Sequence, residues 1–164
     1  MATYEFPTDP KIDALIERFP RIFKGVQPYA WSDLPQGWTE LAERLFADID
    51  RMLDDEAAKA FEVRQIKEKF GGLRVYWRFA EQETTAIDVF ETGSLGHLVL
   101  QPGEPTALFT RIRLRVQEAA DEAARTCQHC GNGSATANNS GLVATLCGPC
   151  RRRQDLEQQT GGQT

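Results

Sequence analysis

Three stretches of this chain carry apolar residues at helical spacing and one carries them at strand spacing. Ile12, Leu15, Ile16 and Phe19 share one face after Asp9-Pro10, a capping residue followed by the residue that suits the first helical position. Pro20 ends this helix. Trp38, Leu41, Ala42, Leu45, Phe46, Ile49, Met52 and Leu53 recur every three or four residues opposite Glu40, Glu43, Arg44, Asp48, Asp50 and Arg51, the strongest amphipathic pattern in the chain. From Ala107 on, Ile112, Val116, Ala119, Ala120, Ala123 and Ala124 build a third helix, with Arg111 and Arg115 one turn apart. The strand-spaced stretch is Leu73, Val75, Trp77 and Phe79, alternating with Arg74, Tyr76 and Arg78. Together with residues 61–70 it reads as a β-hairpin, turned at Gly71-Gly72, where glycine adopts positive φ without steric cost.

The segments between these elements have weaker patterns. Residues 21–37 show no period and hold Gly25, Pro28, Pro35 and Gly37, so an irregular link is expected, with Tyr29 and Trp31 as core side chains. Asp54 or Asp55 caps a further short helical turn, and Asp50, Asp54, Asp55 and Glu56 read as a solvated acidic end rather than a hard-metal cluster. Residues 82–106 mix Val89-Phe90 and His97-Leu98-Val99-Leu100 with glycine and proline, which either adds strands to the hairpin or forms a binding loop. His97 stands alone beside an apolar triplet and is expected to be satisfied or exposed rather than catalytic.

The third helix leads directly to the chemistry. Cys127-Gln128-His129-Cys130 and Cys147-Gly148-Pro149-Cys150 are the chain's only cysteines, and each pair has the spacing of a metal knuckle. Two such turns aim four thiolates at one point about 2.3 Å away, completing the tetrahedron that Zn²⁺ prefers. A redox pair needs only one motif, so a structural zinc site is the better reading of two. His129 lies between ligands and is expected to face outward. Gly131-Asn132-Gly133-Ser134 and Asn138-Asn139-Ser140-Gly141 are turn signals around a short ribbon whose returning strand is 141–146. Zinc contributes on the order of 10 kcal/mol toward folding ribbons of this kind, which lack a core of their own.

Charge refines the picture of partners. The net charge of −5 is uneven: residues 1–60 hold 12 acids and 7 bases, residues 61–80 hold 2 and 5, residues 81–110 hold 5 and none, and residues 111–153 hold 3 and 7. No apolar run approaches the roughly 20 residues of a membrane span, and the first 20 residues carry acids and prolines where a signal peptide needs an apolar stretch. A cytoplasmic protein is expected, in a reducing compartment where thiols serve metals better than disulfides. Four thiolates leave no open coordination position for an activated water. The deaminase pattern needs His-x-Glu, and Glu follows neither His97 nor His129 at that spacing. Walker, dinucleotide-binding and Ser/His/Asp patterns do not occur, so no enzyme is expected.

Ile66-Lys67-Glu68-Lys69-Phe70-Gly71-Gly72-Leu73-Arg74, a helix running into Cys-x-x-Cys-Gly and a later Leu-Cys-x-x-Cys resemble a group of uncharacterised short bacterial and phage proteins. The early Phe19-Pro20-Arg21-Ile22-Phe23 run belongs to the same resemblance, which covers most of residues 19–150. It implies no catalytic role for Lys67, Glu68 or Arg74. Residues 82–106 depart from it, an acidic insertion standing where those proteins have a short turn.

The expected architecture is α+β: two or three helices packed on a small antiparallel β-hairpin, with a C-terminal four-cysteine zinc ribbon. Residues 1–126 would form the α+β core, with 82–106 as its insertion, 127–153 the ribbon and 154–164 a disordered tail. Two functions compete. The first is a protein-interaction module, in the manner of an inhibitor or an immunity or anti-defence factor, whose acidic segments match a basic or nucleic-acid-handling protein. The second is a zinc-ribbon nucleic-acid binder using Arg151, Arg152 and Arg153, together with Arg74, Tyr76 and Arg78 on the hairpin. Each basic group has a plainer use: Arg74 and Arg78 can pair across strands with Glu62 or Glu68, and the arginine run can offset the −2 charge of a zinc bound by four thiolates.

Overall fold

A computed structural model describes residues 9–24, 33–80, 106–137 and 143–159, and the backbone alone of 85–91, 94–100 and 160–161. Tyr29, Trp31 and the turn at 138–141 lie outside the described residues, as does the side chain of His97. The chain is α+β. Helix α1 (Pro10–Arg18) begins as expected, with the Asp9 carboxylate accepting from Lys11 N–H at 2.9 Å. The other Asp9 oxygen accepts from Leu34 N–H at 3.0 Å, so the cap also ties the helix to the segment that follows the undescribed stretch.

Pro20 does more than stop α1. It opens a one-turn helix, α2 (Pro20–Phe23), which closes on Lys24 at φ 55°. The expected irregular link is therefore helical at its start, because proline at a first helical position ends one helix and is preorganised for the next. A 3-10 turn, Gln36–Trp38, likewise leads into α3 (Thr39–Met52). Asp54 then caps α4 (Asp55–Ala60), accepting from Ala57 N–H at 2.8 Å. The adjoining acids are held by Arg21, whose guanidinium lies 3.5 Å from Asp50 and 3.6 Å from Asp55 and donates to the Leu53 carbonyl at 2.9 Å. That is the solvated acidic end expected of this stretch, cross-braced by an arginine.

Strands β1 (Phe61–Lys69) and β2 (Gly72–Phe79) pair antiparallel, with a register shift between Val63 and Gln65. The shift lets Phe61 and Val63 share the inner face with Ile66, three residues on, by spending one extra residue in a bulge. Leu73, Val75 and Trp77 are buried on that face, as their alternation predicts. The turn is not where the glycines placed it: Lys69 pairs with Gly72, and the positive angles fall on Phe70 (φ 52°) and Gly71 (φ 78°). Register decides this, since a two-residue turn between paired Lys69 and Gly72 leaves only those two residues to reverse the chain.

The insertion forms its own hairpin, β3 (Thr85–Glu91) with β4 (Ser94–Leu100), in which His97 stands opposite Asp88. Among the described residues it pairs with neither β1 nor β2. Helix α5 (Ala107–Ala123) starts on the Thr106 hydroxyl, which accepts from Phe109 N–H at 3.1 Å. It packs along α3 and against β2, where Phe109 meets Trp77 at 4.8 Å between ring centroids. The core lies between α3, α5 and the inner face of the hairpin, closed by α1 and α2 through Phe19, Ile22 and Phe23.

Two short strands, β5 (Thr136–Ala137) and β6 (Thr145–Leu146), pair to make the ribbon, and helix α6 (Gly148–Gly161) follows. The disordered tail expected over 154–164 is thus corrected as far as residue 161. Residues 151–159 are strong helix formers apart from Asp155; with Leu156 as the one apolar residue among them they lack a packing face, not helical propensity, and a fixed first turn supplies the nucleus. Among the described residues no helix is long and apolar enough to cross a membrane.

Candidate metal centre

The cysteines come together from three pieces of backbone. Cys127 and Cys130 lie in the turn that follows α5, Cys147 lies between β6 and α6, and Cys150 lies in the first turn of α6. Gly131, at φ 75°, lets the first knuckle close, its N–H donating to the Cys127 carbonyl at 2.9 Å. In the second, Arg151 N–H donates to the Cys147 carbonyl at 2.9 Å, the bond that starts α6 and places a helix N-terminus beside the sulfurs.

All four sulfurs lie within 4.8 Å of one another, and Cys130 Sγ is 3.6 Å from Cys147 Sγ. An ion bound by four thiolates at about 2.3 Å sets its sulfurs about 3.8 Å apart, so the cluster already has the size of a tetrahedral site. Cys127 and Cys147 are buried, Cys150 is half-buried and Cys130 is exposed. Burial opposes charge on Cys127, yet backbone N–H groups of Cys147, Cys130 and His129 point at its sulfur and bring its pKa down to about 6. The hydrogen bond to Cys147, reinforced by burial, pushes Cys150 up to about 12. The Asn132 N–H favours a thiolate at Cys130, but bonding to Cys147 and Cys127 outweighs it and holds that pKa above the ordinary value. Without a cation, then, Cys127 ionises before Cys130 and Cys150, which hold their protons. His129 is exposed and is not among the clustered ligands.

Sequence reasoning found these ligands but missed what they are fastened to. Gly37 N–H donates to the Gln128 carbonyl at 2.8 Å, and the Trp38 indole N–H donates to the Thr126 carbonyl at 2.8 Å. Trp38 is fully buried, so the first knuckle is tied into the main core. A Cβ at residue 37 would lie 2.5 Å from Gly131 N and closer still to the Cys127 carbonyl; only glycine fits. On the other side Thr145 Oγ1 donates to the Gly71 carbonyl at 2.7 Å, fastening β6 to the turn of the first hairpin. Beyond residue 126 the chain has a small cluster of its own, Cys127, Ala135, Ala144, Leu146 and Cys147, and these bonds tie it to the main core. Gly37 and Thr145 carry no sequence signal for this, because their partners come from the other end of the chain.

The basic residues separate into two groups. Arg74, Tyr76 and Arg78 share the outer face of β2 and are half-buried. Arg74 donates to the Leu73 carbonyl at 3.1 Å, Tyr76 lies under the Lys67 ammonium at 5.1 Å, and Arg78 is 3.3 Å from Glu62, the residue opposite it. The Nε atoms of both arginines are shielded from solvent. Arg151 donates to the Thr136 carbonyl at 2.7 Å, joining α6 to β5, whereas Arg152 and Arg153 are exposed. A groove of about 620 Å³ runs beside the first knuckle, lined by Glu40, Arg125, His129, Cys130 and the Arg44–Glu122 ion pair.

No protein-family model, no curated protein and no solved structure matches this chain.

Proposed function

We propose that this protein is a non-catalytic interaction module, stabilised by one zinc ion and acting on another protein in the cytoplasm. Four thiolates at tetrahedral spacing suit zinc, and a sphere filled by sulfur offers no position to water or substrate. The ion would hold structure, and the residues that would hold it are Cys127, Cys130, Cys147 and Cys150. The observation that carries the interaction reading is α6: 14 residues rooted on the second knuckle, with none of the described side chains buried. A helix of that length is marginal alone in water, and this one, whose Leu156 is 62% exposed, contributes nothing to the core. Its exposed surface is what another molecule would meet.

A protein is favoured over nucleic acid because the net charge of −5 repels phosphate at the range where steering acts, and because the hairpin cations are engaged within the chain. A basic or nucleic-acid-handling protein, blocked as an inhibitor or an immunity or anti-defence factor would block it, suits the acidic segments. Many acids of residues 9–60 already have cations of their own, Arg18 with Glu43, Arg51 and Arg115 with Asp48, Lys59 with Glu56, so charge alone does not hold such a partner. The nucleic-acid reading is supported by Arg152 and Arg153, adjacent and exposed at the base of α6.

Affinity capture from a lysate of the organism that carries the protein separates the two. The full chain and a chain ending at Arg153 are immobilised, and each lysate is divided into untreated and nuclease-treated halves. The interaction reading expects one stoichiometric protein that survives nuclease on the full chain and is missing from the shortened one. Bound material that vanishes with nuclease and weakens steeply with salt would contradict it and make Arg152 and Arg153 the residues to replace first.

A further inference from the structure

We infer that the tip of the first hairpin, Lys69-Phe70-Gly71, is an anchor for the protein partner, Phe70 entering an apolar pocket on it. The inference rests on the interaction reading above and names the contact that reading lacks. Phe70 is 61% exposed, whereas Phe19, Phe23, Phe46, Phe61 and Phe109 are buried. It also occupies a left-handed backbone conformation, φ 52°, that bulky side chains avoid. A two-residue turn with both angles positive favours Asn-Gly, and this chain has Phe-Gly. A large aromatic ring that stabilises no core and strains its own backbone is costly to folding on both counts, and such costs concentrate where a side chain serves a contact outside the molecule.

The turn is held for that purpose. Gly71 N–H donates to Glu68 Oε1 at 2.5 Å, and the Gly71 carbonyl accepts from the buried Thr145 hydroxyl at 2.7 Å. Thr145 is two residues before Cys147, so the strand that leads into the second knuckle also fixes the backbone of this turn. A rigidly presented aromatic loses little freedom on binding, the property of residues that dominate interfaces. The Lys69 ammonium lies 5.8 Å from the ring centroid, a cation–π contact that steadies the exposed ring. A nucleic-acid base could stack on the same ring. It would need cations along its backbone track, and the arginines of this hairpin bond instead to the Leu73 carbonyl and Glu62.

The test replaces Phe70 in the full zinc-loaded chain with the photoreactive benzoylphenylalanine, and separately replaces Leu114, which is 53% exposed on α5. Irradiation in lysate should join position 70 to one protein in a nuclease-resistant product and give none at position 114. The purified chain carrying Phe70→Asn should then melt about 2–4 °C higher, because Asn-Gly relaxes the turn, and bind the cross-linked protein at least about tenfold more weakly. No product at position 70, a product destroyed by nuclease, a melting temperature that does not rise, or an affinity within about twofold of the parent overturns the inference. Capture of no protein by the full chain would defeat the interaction reading itself. Capture of one to which Phe70 is indifferent defeats only the hairpin contact.

Discussion

A methyl group at residue 37 has nowhere to go. The backbone atoms it would meet belong to Cys127 and Gly131, which cannot shift without opening the first knuckle. Gly37→Ala should therefore cost about 1–3 kcal/mol of stability, read from denaturant unfolding of the metal-loaded chain, and should weaken metal binding. Protonation acts on the same cluster in a definite direction. Cys127 ionises at about 6, below the ordinary thiol value of 9.0, so its contribution to the metal-free fold is complete above 9.0 and fades as pH falls toward 6. Cys150 is reversed: its contribution is present below 9.0 and is lost as pH rises toward 12. At neutral pH an entering metal must then displace the protons of Cys130 and Cys150, and below about pH 6 the Cys127 proton as well. Zinc added to chelated protein should release protons in a pH-stat, and competition with a coloured chelator should show affinity falling more steeply below that point. At this scale the ligands were legible because two short spacings specify them. Gly37, Phe70 and Thr145 were not, because each owes its role to a contact made after folding.

Between elements, the half-buried pair Arg115–Asp48, at 2.7 Å, joins α5 to α3. Hydrogen bonding from Arg115 holds the Asp48 carboxyl below its usual value of 3.8. Its contribution is therefore present above 3.8 and is lost as pH falls through the lower folded value. Arg115→Ala should cost about 1 kcal/mol near neutral pH, with the difference from the parent shrinking in acid, as urea titrations at both pH values would show. The three helical patterns and the one strand pattern of apolar residues yielded α1, α3, α5 and β2 with little ambiguity, since burying one face is what sets their period. The bulge in β1 was there to be read as a parity change, Phe61 and Val63 against Ile66. A terminal position and a Gln/Thr/Gly-rich ending point to disorder in the tail, whereas α6 needs only propensity and a fixed first turn. Ending the chain at Arg153 should leave near-ultraviolet circular dichroism unchanged, since the described side chains removed are all exposed or half-buried.

In the molecule as a whole, the cysteine cluster stands where α5, the Gln36–Trp38 turn and the tip of the first hairpin converge. Bonds from Gly37 to Gln128 and from Trp38 to Thr126 join the ribbon to the core on one side, and the bond from Thr145 to Gly71 joins it to the Phe70 turn on the other. Cys147→Ser should unfold the ribbon and loosen the end of α5, seen as loss of near-ultraviolet signal together with loss of bound zinc. The most direct measurement is amide hydrogen exchange, residue by residue, on the zinc-loaded chain and after chelation. Gly37 and Gln128, whose N–H groups donate to Gln128 and Thr145 carbonyls, should lose protection with the metal, while Leu45 and Ile49 in the middle of α3 keep theirs. Protection at Gly37 and Gln128 that survives chelation would mean that the metal does not hold the junction.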